Sequence, residues 1–433
     1  MKRRILSLIL CLVMVCTCVT AFAQEKPTVI FAEKQVSDSH VELKTKYLLD
    51  PLEAAFPDVN ISYEPWADAQ SNLIAMAGGG GPDITTCPPT NISEYAKAGR
   101  ILDLTPYAEK YGWKDMFFEW AYNTSLYDGK LYSLPNAFEG MAIFYNVDVF
   151  EANGWEIPTT RAELEAVMEA AMAKGIIPIS FGNSDYRNAV DWLYSTFISC
   201  YAGRDILKQT IQGELPWNNP EVAGALQLMV DWWQKGYIGD KKSQAITLND
   251  MVSMFANGQA AMMINGTWAF EELMSTYPEC NWKMGIMPEL RDGLGQIFPL
   301  ATGGCYVINA NSDNPDVCAE ILNWMFTDLE VHLTSVEEAN FQPYPIFAFD
   351  TSKLDASKID PQIIAVHDLL LDAQATGNVG YCSWTFYNAN VRTYMNENTD
   401  ALFLGMMTVE DFLADVQEIS DEAVAAGEIP ILP

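Results

Sequence analysis

Residues 26–84 run strand, helix, strand, helix, strand, and that order leaves few folds open. KPTVIFAE, 26–33, reads as a strand. Val41 to Phe56 carries a largely helical apolar pattern, broken or kinked by Pro51, which lacks the backbone donor and crowds the preceding turn. Val59–Tyr63 reads as a second strand and Ser71–Ala77 as a helix that Gly78–Gly81 stops. Pro82-Asp83-Ile84 opens a third short strand. Strands joined through helices lie parallel, since a tight turn cannot return a chain in the same direction. The expectation is an α/β domain with a mainly parallel sheet. The glycine run is a helix stop and not a phosphate loop. It lacks the GxxxxGK[ST] and GxGxxG spacings, and it precedes a strand instead of following one.

Farther along, the pattern becomes more helical. Thr160-Arg161-Ala162-Glu163 is a capping box, and Leu164, Val167, Met168, Ala171 and Met172 follow at core-facing spacing until Gly175. Ile176–Ser180, AAMMI at 260–264 and Tyr306–Asn309 read as strands. Asn219-Pro220, Asn314-Pro315 and Thr408 start helices. No internal repeat and no low-complexity linker interrupts this, so domain boundaries must fall in short crossovers.

The basic start MKRR, the apolar run Ile5–Val19 and the ending Thr20-Ala21-Phe22-Ala23 read as a secretory signal peptide over residues 1–23. Lipid attachment at Cys16 or Cys18 is the alternative, against which Val15 and Thr17 make a poor lipobox. The expected product is extracytoplasmic, free or tethered at one end. Formal net charge is −32, and losing Lys2, Arg3 and Arg4 with the leader makes it −35. Such a surface repels nucleic acid and anionic lipid. Six cysteines remain: Cys87, Cys200, Cys280, Cys305, Cys318 and Cys382. They form no CxxC pair and read as buried small hydrophobes, with one incidental disulfide left open by the compartment.

Catalytic signatures are scarce. His40, His332 and His367 show no metal or triad spacing, and HExxH and GxSxG are missing. Carboxylate pairs of the glycosidase kind are defined by distance in space, so sequence leaves them open. Residues 127–158, YDGKLYSLPNAFEGMAIFYNVDVFEANGWEIP, say more. Asp128-Gly129 makes a tight turn, KLYSLP and MAIFYN read as strands, and Glu139 stands on the connection between them. A carboxylate there is either solvated or aimed at something. Several tryptophans also sit where a strand or turn meets a helix: Trp66, Trp268 and Trp384. Flat rings cover the C–H face of a sugar while polar side chains take its hydroxyls, and core packing is the competing reading for each ring.

Five blocks in order resemble bacterial extracellular solute-binding proteins of the sugar-uptake class, relatives of maltose-binding protein. They are GGGGPDI with YAKAGRILDLTPYAEKYGW, then YDGKLYSLP with IFYNVDVFEANGW, MFANGQAAMMINGTW, TGGCYVINANSDNPDVCAEILNWMF and LFLGMMTVEDFLADV. The resemblance implies a two-lobed α/β fold, each lobe a mainly parallel sheet flanked by helices, with a ligand cleft between. The first lobe would hold 24–137 and 302–345, the second 138–301 and 346–433. It implies a carbohydrate as ligand, permease subunits of an ABC importer as partners, a monomer, no enzyme activity and no cofactor. The ligand contacts it suggests are Glu139, Trp268, Trp384, Tyr344, Asn183, Asp185, Tyr381, Arg392, Trp66 and Asp68. Maltose-type relatives carry an aromatic, an acid and an arginine where this chain has Cys87, Thr90 and Asn91, so maltose itself is not carried over. The alternatives are a secreted carbohydrate-active enzyme or a binding protein for a non-sugar solute such as a polyol phosphate.

Overall fold

The computed structural model describes residues 26–34, 38–66, 69–239, 243–339, 341–428 and 432. The leader expected at 1–23, with Cys16 and Cys18, lies outside these, as does Asp68. In chain order the strands are β1 (Thr28–Lys34), β2 (Asn60–Trp66), β3 (Ile84–Cys87), β4 (Leu126–Tyr127), β5 (Lys130–Leu131), β6 (Leu134–Pro135), β7 (Phe138–Asn146), β8 (Ile177–Ser180), β9 (Ala260–Gly266), β10 (Trp282–Gly285), β11 (Phe298–Thr302), β12 (Cys305–Ile308) and β13 (Val379–Tyr381). They build two main sheets, β2-β1-β3-β12-β6 and β13-β11-β7-β9-β8, with β10 also on β7. β4 and β5 form a separate hairpin, turned by Asp128 at φ 50° and Gly129 at φ 72°. Two consecutive positive φ values are what the twist of a tight hairpin requires.

Both sheets are mixed, where mainly parallel ones were expected. β2-β1 and β1-β3 are parallel, but β12 runs antiparallel to β3 and to β6. In the second sheet β13-β11 and β8-β9 are parallel, while β7 runs antiparallel to β9, β10 and β11. The reason is connectivity. The chain passes from the first sheet to the second between β6 and β7, and back between β11 and β12. A strand arriving from the other lobe begins at the shared edge and must run away from it. Strands fed by helices run toward that edge. The carboxyl ends of β1, β2, β3, β8, β9, β11 and β13 therefore all face the crossovers, where open α/β sheets bind ligands.

The two sheets carry separate apolar cores. Phe31, Trp113, Phe117 and Phe326 anchor the first; Phe144, Tyr194, Trp217 and Trp232 anchor the second. Full burial of side chains this size contributes roughly 1.5–3 kcal/mol each. A third passage lies in the helix Pro361–Thr376, whose Ile363 packs on the first core while Val366 and Leu370 pack on the second. That is later than the expected division at 345/346.

Local signals behave as their chemistry dictates, with three differences. Thr160 and Glu163 form the reciprocal cap, and Asn219 and Thr408 each accept from the first turn of their helix. Asn314 does not: its amide donates to the Thr28 carbonyl at 3.1 Å. Pro51 does not break its helix. A π-helical turn over Thr45–Leu49 widens the backbone ahead of it, making room where the ring would collide with the preceding turn. Glu139 lies within β7, paired with Ala301, and not on a connection. All six cysteines are free, five of them buried. Among the described residues no helix is long and apolar enough to cross a membrane, and no three His, Cys, Asp or Glu cluster as metal ligands.

Candidate functional site

A cavity of about 500 Å3 opens between the lobes at the crossover edge. Its first-lobe lining sets polar groups beside Leu43, Leu48 and Phe341. Glu33, near the end of β1, pairs with Lys44 of the helix Asp38–Lys44, and both side chains are almost fully buried. The Tyr306 hydroxyl interacts with the Glu33 carboxylate and with the Asn136 amide, and Tyr344 interacts with Tyr306. Burial beside Glu33 raises both phenols far above the usual tyrosine range, so they are neutral hydrogen-bonding groups. Asn136 Oδ1 is buried without a partner. Tyr344 is held by His332, which stacks on it at 4.2 Å and accepts its backbone N–H at 3.2 Å. The lining from the second sheet's side includes Trp268, Phe270 and Met274, with Thr267 and Ser275.

Trp268 joins this cavity to a second group on the other side of β7. The ladder continues past β9, where Thr267 N–H donates to the Gly140 carbonyl at 3.0 Å. The indole then folds back over Gly266, where a Cβ would sit 2.2 Å from the ring. Glycine at 266 is thus a condition of the ring's position. From Trp268 the rings run on to Trp192 at 5.3 Å and Trp384 at 6.2 Å, and from Trp192 to Tyr186 at 6.3 Å. Trp384 sits in the short turn Ser383–Thr385, which is fastened to the helix Val190–Ala202. Ser195 Oγ accepts from the Ser383 N–H at 2.8 Å there.

Glu139 faces this second group. Its carboxylate packs on Gly303, where a Cβ would sit 3.0 Å from Oε1, so the crossover glycine leaves it room. Among the described residues it has no hydrogen-bond or ion-pair partner. Burial alone pushes its pKa from 4.5 up to about 7. The Tyr186 hydroxyl is raised by burial and feels Arg392, Asp191 and Glu139 together, which makes these four one cluster. Arg392 donates through Nε and Nη2 to Asp191 Oδ2 at 2.8 and 2.7 Å. Burial nevertheless raises the Asp191 carboxyl, and Arg392 opposes it.

Of the residues expected from sequence, Glu139, Trp268, Trp384, Tyr344 and Arg392 thus gather around the crossovers. Asn183 is close in sequence to Tyr186, buried, with Oδ1 unpartnered. Asp185 is exposed and accepts the Leu248 N–H at 2.9 Å, fastening the start of a helix. Tyr381 is buried inside the second lobe, its hydroxyl accepting from Arg204 Nε at 3.0 Å. Trp66 closes β2, and its side chain lies outside the description. Sequence reading missed Glu33, Lys44, Asn136, Tyr306, Tyr186 and Trp192. The polar Asn136 beside Pro135 is a usable signal; Trp192 falls among the apolar residues of the helix Val190–Ala202, and the others carry no local mark.

A family model described as bacterial extracellular solute-binding protein matches residues 48–331. The chain is similar to the maltotriose-binding protein of Pyrococcus abyssi, 26% identical over 289 residues, covering 64% of this chain and 58% of that protein. It is also similar to the maltodextrin-binding protein of Bacillus subtilis, 22% identical over 259 residues, covering 59% and 58%. The chain thus spans somewhat more than half the length of these two relatives. Among solved structures, a chitin oligosaccharide binding protein superposes with a TM-score of 0.75 at 23% identity, covering 93% of this chain and 100% of that one. At that identity the likeness is one of fold.

Proposed function

The chain belongs to the bacterial extracellular solute-binding proteins, and from that premise we propose that it captures a carbohydrate between its lobes and hands it to the permease of an ABC importer. One observation carries the reading: the cavity between the lobes is lined by the polar groups of Glu33, Asn136, Tyr306 and Tyr344 together with the rings of Trp268 and Phe270. A sugar offers partners to both kinds, hydroxyls around its rim and C–H groups on its face. The named relatives bind maltotriose and maltodextrin, which supports the ligand class without naming this chain's sugar. Expected contacts in the cavity are Trp268, Tyr344, Asn136 and Tyr306; Glu139 and Trp384 are expected contacts of a ligand that reaches past Trp268 into the second group. Lys44, the cavity's one described lysine or arginine, is already paired with Glu33, which counts against a phosphate ligand.

A thermal-shift screen over mono- and oligosaccharides tests this. A cognate sugar at 100 times its Kd stabilises the fold by about 2.7 kcal/mol. The same sugar is expected to survive prolonged incubation intact. No response to any sugar overturns the reading, and release of reducing ends shows an enzyme instead.

A further inference from the structure

Two of the cysteines, both thiols in this structure, stand directly opposite one another. β3 ends at Cys87 and β12 begins at Cys305, and the antiparallel register pairs them, as it pairs Thr85 with Val307. Farther along the same ladder, the Asn309 N–H donates to the Asp83 carbonyl at 2.9 Å. Hydrogen-bonded pairs come at every second position, so Asn309–Asp83, Val307–Thr85 and Cys305–Cys87 are all of that kind. The Cα atoms of such a pair are about 5.5 Å apart, and disulfides most often span about 5.5–6 Å. Opposite Cβ atoms stand about 4.5–5.5 Å apart, within about 1 Å of what a disulfide takes. The two side chains share one face, fully buried in a small core with Met76, Ile92, Tyr95 and Val307.

Each sulfur is held weakly. Cys87 Sγ donates to the Pro88 carbonyl at 3.4 Å, and Cys305 Sγ to Thr302 Oγ1 at 3.7 Å. A thiol is a weak donor, so a turn about χ1 gives up little. Cys200 and Cys382 are also near each other but do not face across a ladder. One is on the helix Val190–Ala202, the other follows β13, and their sulfurs donate to separate carbonyls, Ile297 and Pro299. Burial pushes the Cys87 thiol up, and Cys305 beside it adds to this. Protonated, sheltered thiols exchange slowly, so closure belongs to the folding chain and not to the folded one. An extracellular family folds where disulfides persist.

We propose that Cys87 and Cys305 are joined by a disulfide as the first lobe folds outside the cytoplasm. The oxidant is itself a disulfide, of a small thiol or of a protein. One cysteine thiolate attacks it and releases a thiolate, and the second displaces the half that remains. One S–S bond forms and one breaks; the protein gives up two protons and the oxidant leaves as two thiols. The new bond closes a loop that contains β4 through β11, and with them the passage to the second lobe and the return. A long closed loop is where a cross-link restricts the unfolded chain most.

The test is to reduce the full chain in denaturant and refold it with oxidised and reduced glutathione. The product is quenched with acid, alkylated in denaturant, digested and mapped by mass spectrometry. The peptides of Cys87 and Cys305 are expected joined in most molecules, lighter by two hydrogens, with Cys200, Cys280, Cys318 and Cys382 alkylated. The oxidised protein is expected to melt higher than the reduced protein, and in Cys87→Ala the two melts should coincide. Mapping of the wild type decides the matter even if the variant does not fold. Cys87 and Cys305 alkylated in the refolded protein, or joined chiefly to other cysteines, overturns the proposal and leaves the carbohydrate reading standing.

Discussion

Trp268 packs directly on Gly266, so two residues must be right for one ring to be in place. Trp268→Ala is expected to cost about 2 kcal/mol of binding, some thirtyfold in Kd by calorimetry. It also lowers the melting temperature without ligand, because the half-buried ring packs on Trp192 and Trp384. Gly266→Ala puts a methyl group where the indole sits and should weaken binding as Trp268→Ala does, with the tryptophan still present. Glu139→Gln removes a charge and keeps the shape. A hydrogen bond to a charged group contributes roughly 1.5–3 kcal/mol, so binding falls without vanishing. The carboxyl also links stability to pH. Its folded value, about 7, lies above the ordinary 4.5, so the folded protein holds the proton more tightly. That contribution is full below about pH 4.5 and is lost as pH rises through 7. Denaturant unfolding of the ligand-free protein should show this decline, and Glu139→Gln should lack it.

At the scale of elements, the helices Leu329–Ala339 and Pro361–Thr376 each bury a histidine near the third passage. Burial lowers His332 from 6.5 to about 3 and His367 to about 4. Here the unfolded chain binds protons more tightly. The contribution is full above pH 6.5 and is lost as pH falls through the interval down to about 4 and 3. Its slope is opposite to that of Glu139, and the two overlap between about 4.5 and 6.5, so wild type alone conceals both. His367 separates them. Both of its ring nitrogens are buried without partners, and its ring meets Phe349 edge-on at 4.9 Å. Removing an unsatisfied buried polar group gains roughly 1–3 kcal/mol less whatever packing is lost. His367→Leu is therefore expected to unfold at higher denaturant near pH 5, with a shallower acid slope. An unchanged midpoint would show that the imidazole has partners in solution.

For the whole molecule, two lobes joined by β6-β7 and β11-β12 give a ligand touching both walls a reason to draw them together. Small-angle scattering with a cognate sugar is expected to give a smaller radius of gyration; an identical profile at saturation would refute closure and leave binding intact. The crossover Gly303-Gly304 is packed on by Glu139 and Asn136, to within 3.0 and 2.8 Å of where methyl groups would stand. Gly303→Ala and Gly304→Ala should therefore weaken binding by displacing Glu139 of β7 and Asn136 of the neighbouring crossover. Wild-type affinity in both would remove these two glycines from the account.

Local order was set by sequence alone: the strand-helix alternation to residue 84, the Asp128-Gly129 turn, and the caps at Thr160, Asn219 and Thr408. Each depends on contacts within a few residues, which the chain states directly. The family blocks added two lobes and drew attention to Glu139 and Trp268. Strand direction was decided elsewhere, because β7 and β12 run antiparallel only by virtue of the edge from which they enter. The polar lining was decided there too. Glu33, Asn136, Tyr306 and Tyr344 are spread over more than three hundred positions, and no periodicity marks them as neighbours. Tyr381 and Asp185 resembled site residues, yet Arg204 and the Leu248 N–H claim them through contacts distant in sequence. The carboxylate left over at Glu139 belongs to the same class of fact. A chain this rich in acids gives no sign of which one stays unpaired, since pairing is settled by which cations the fold brings near.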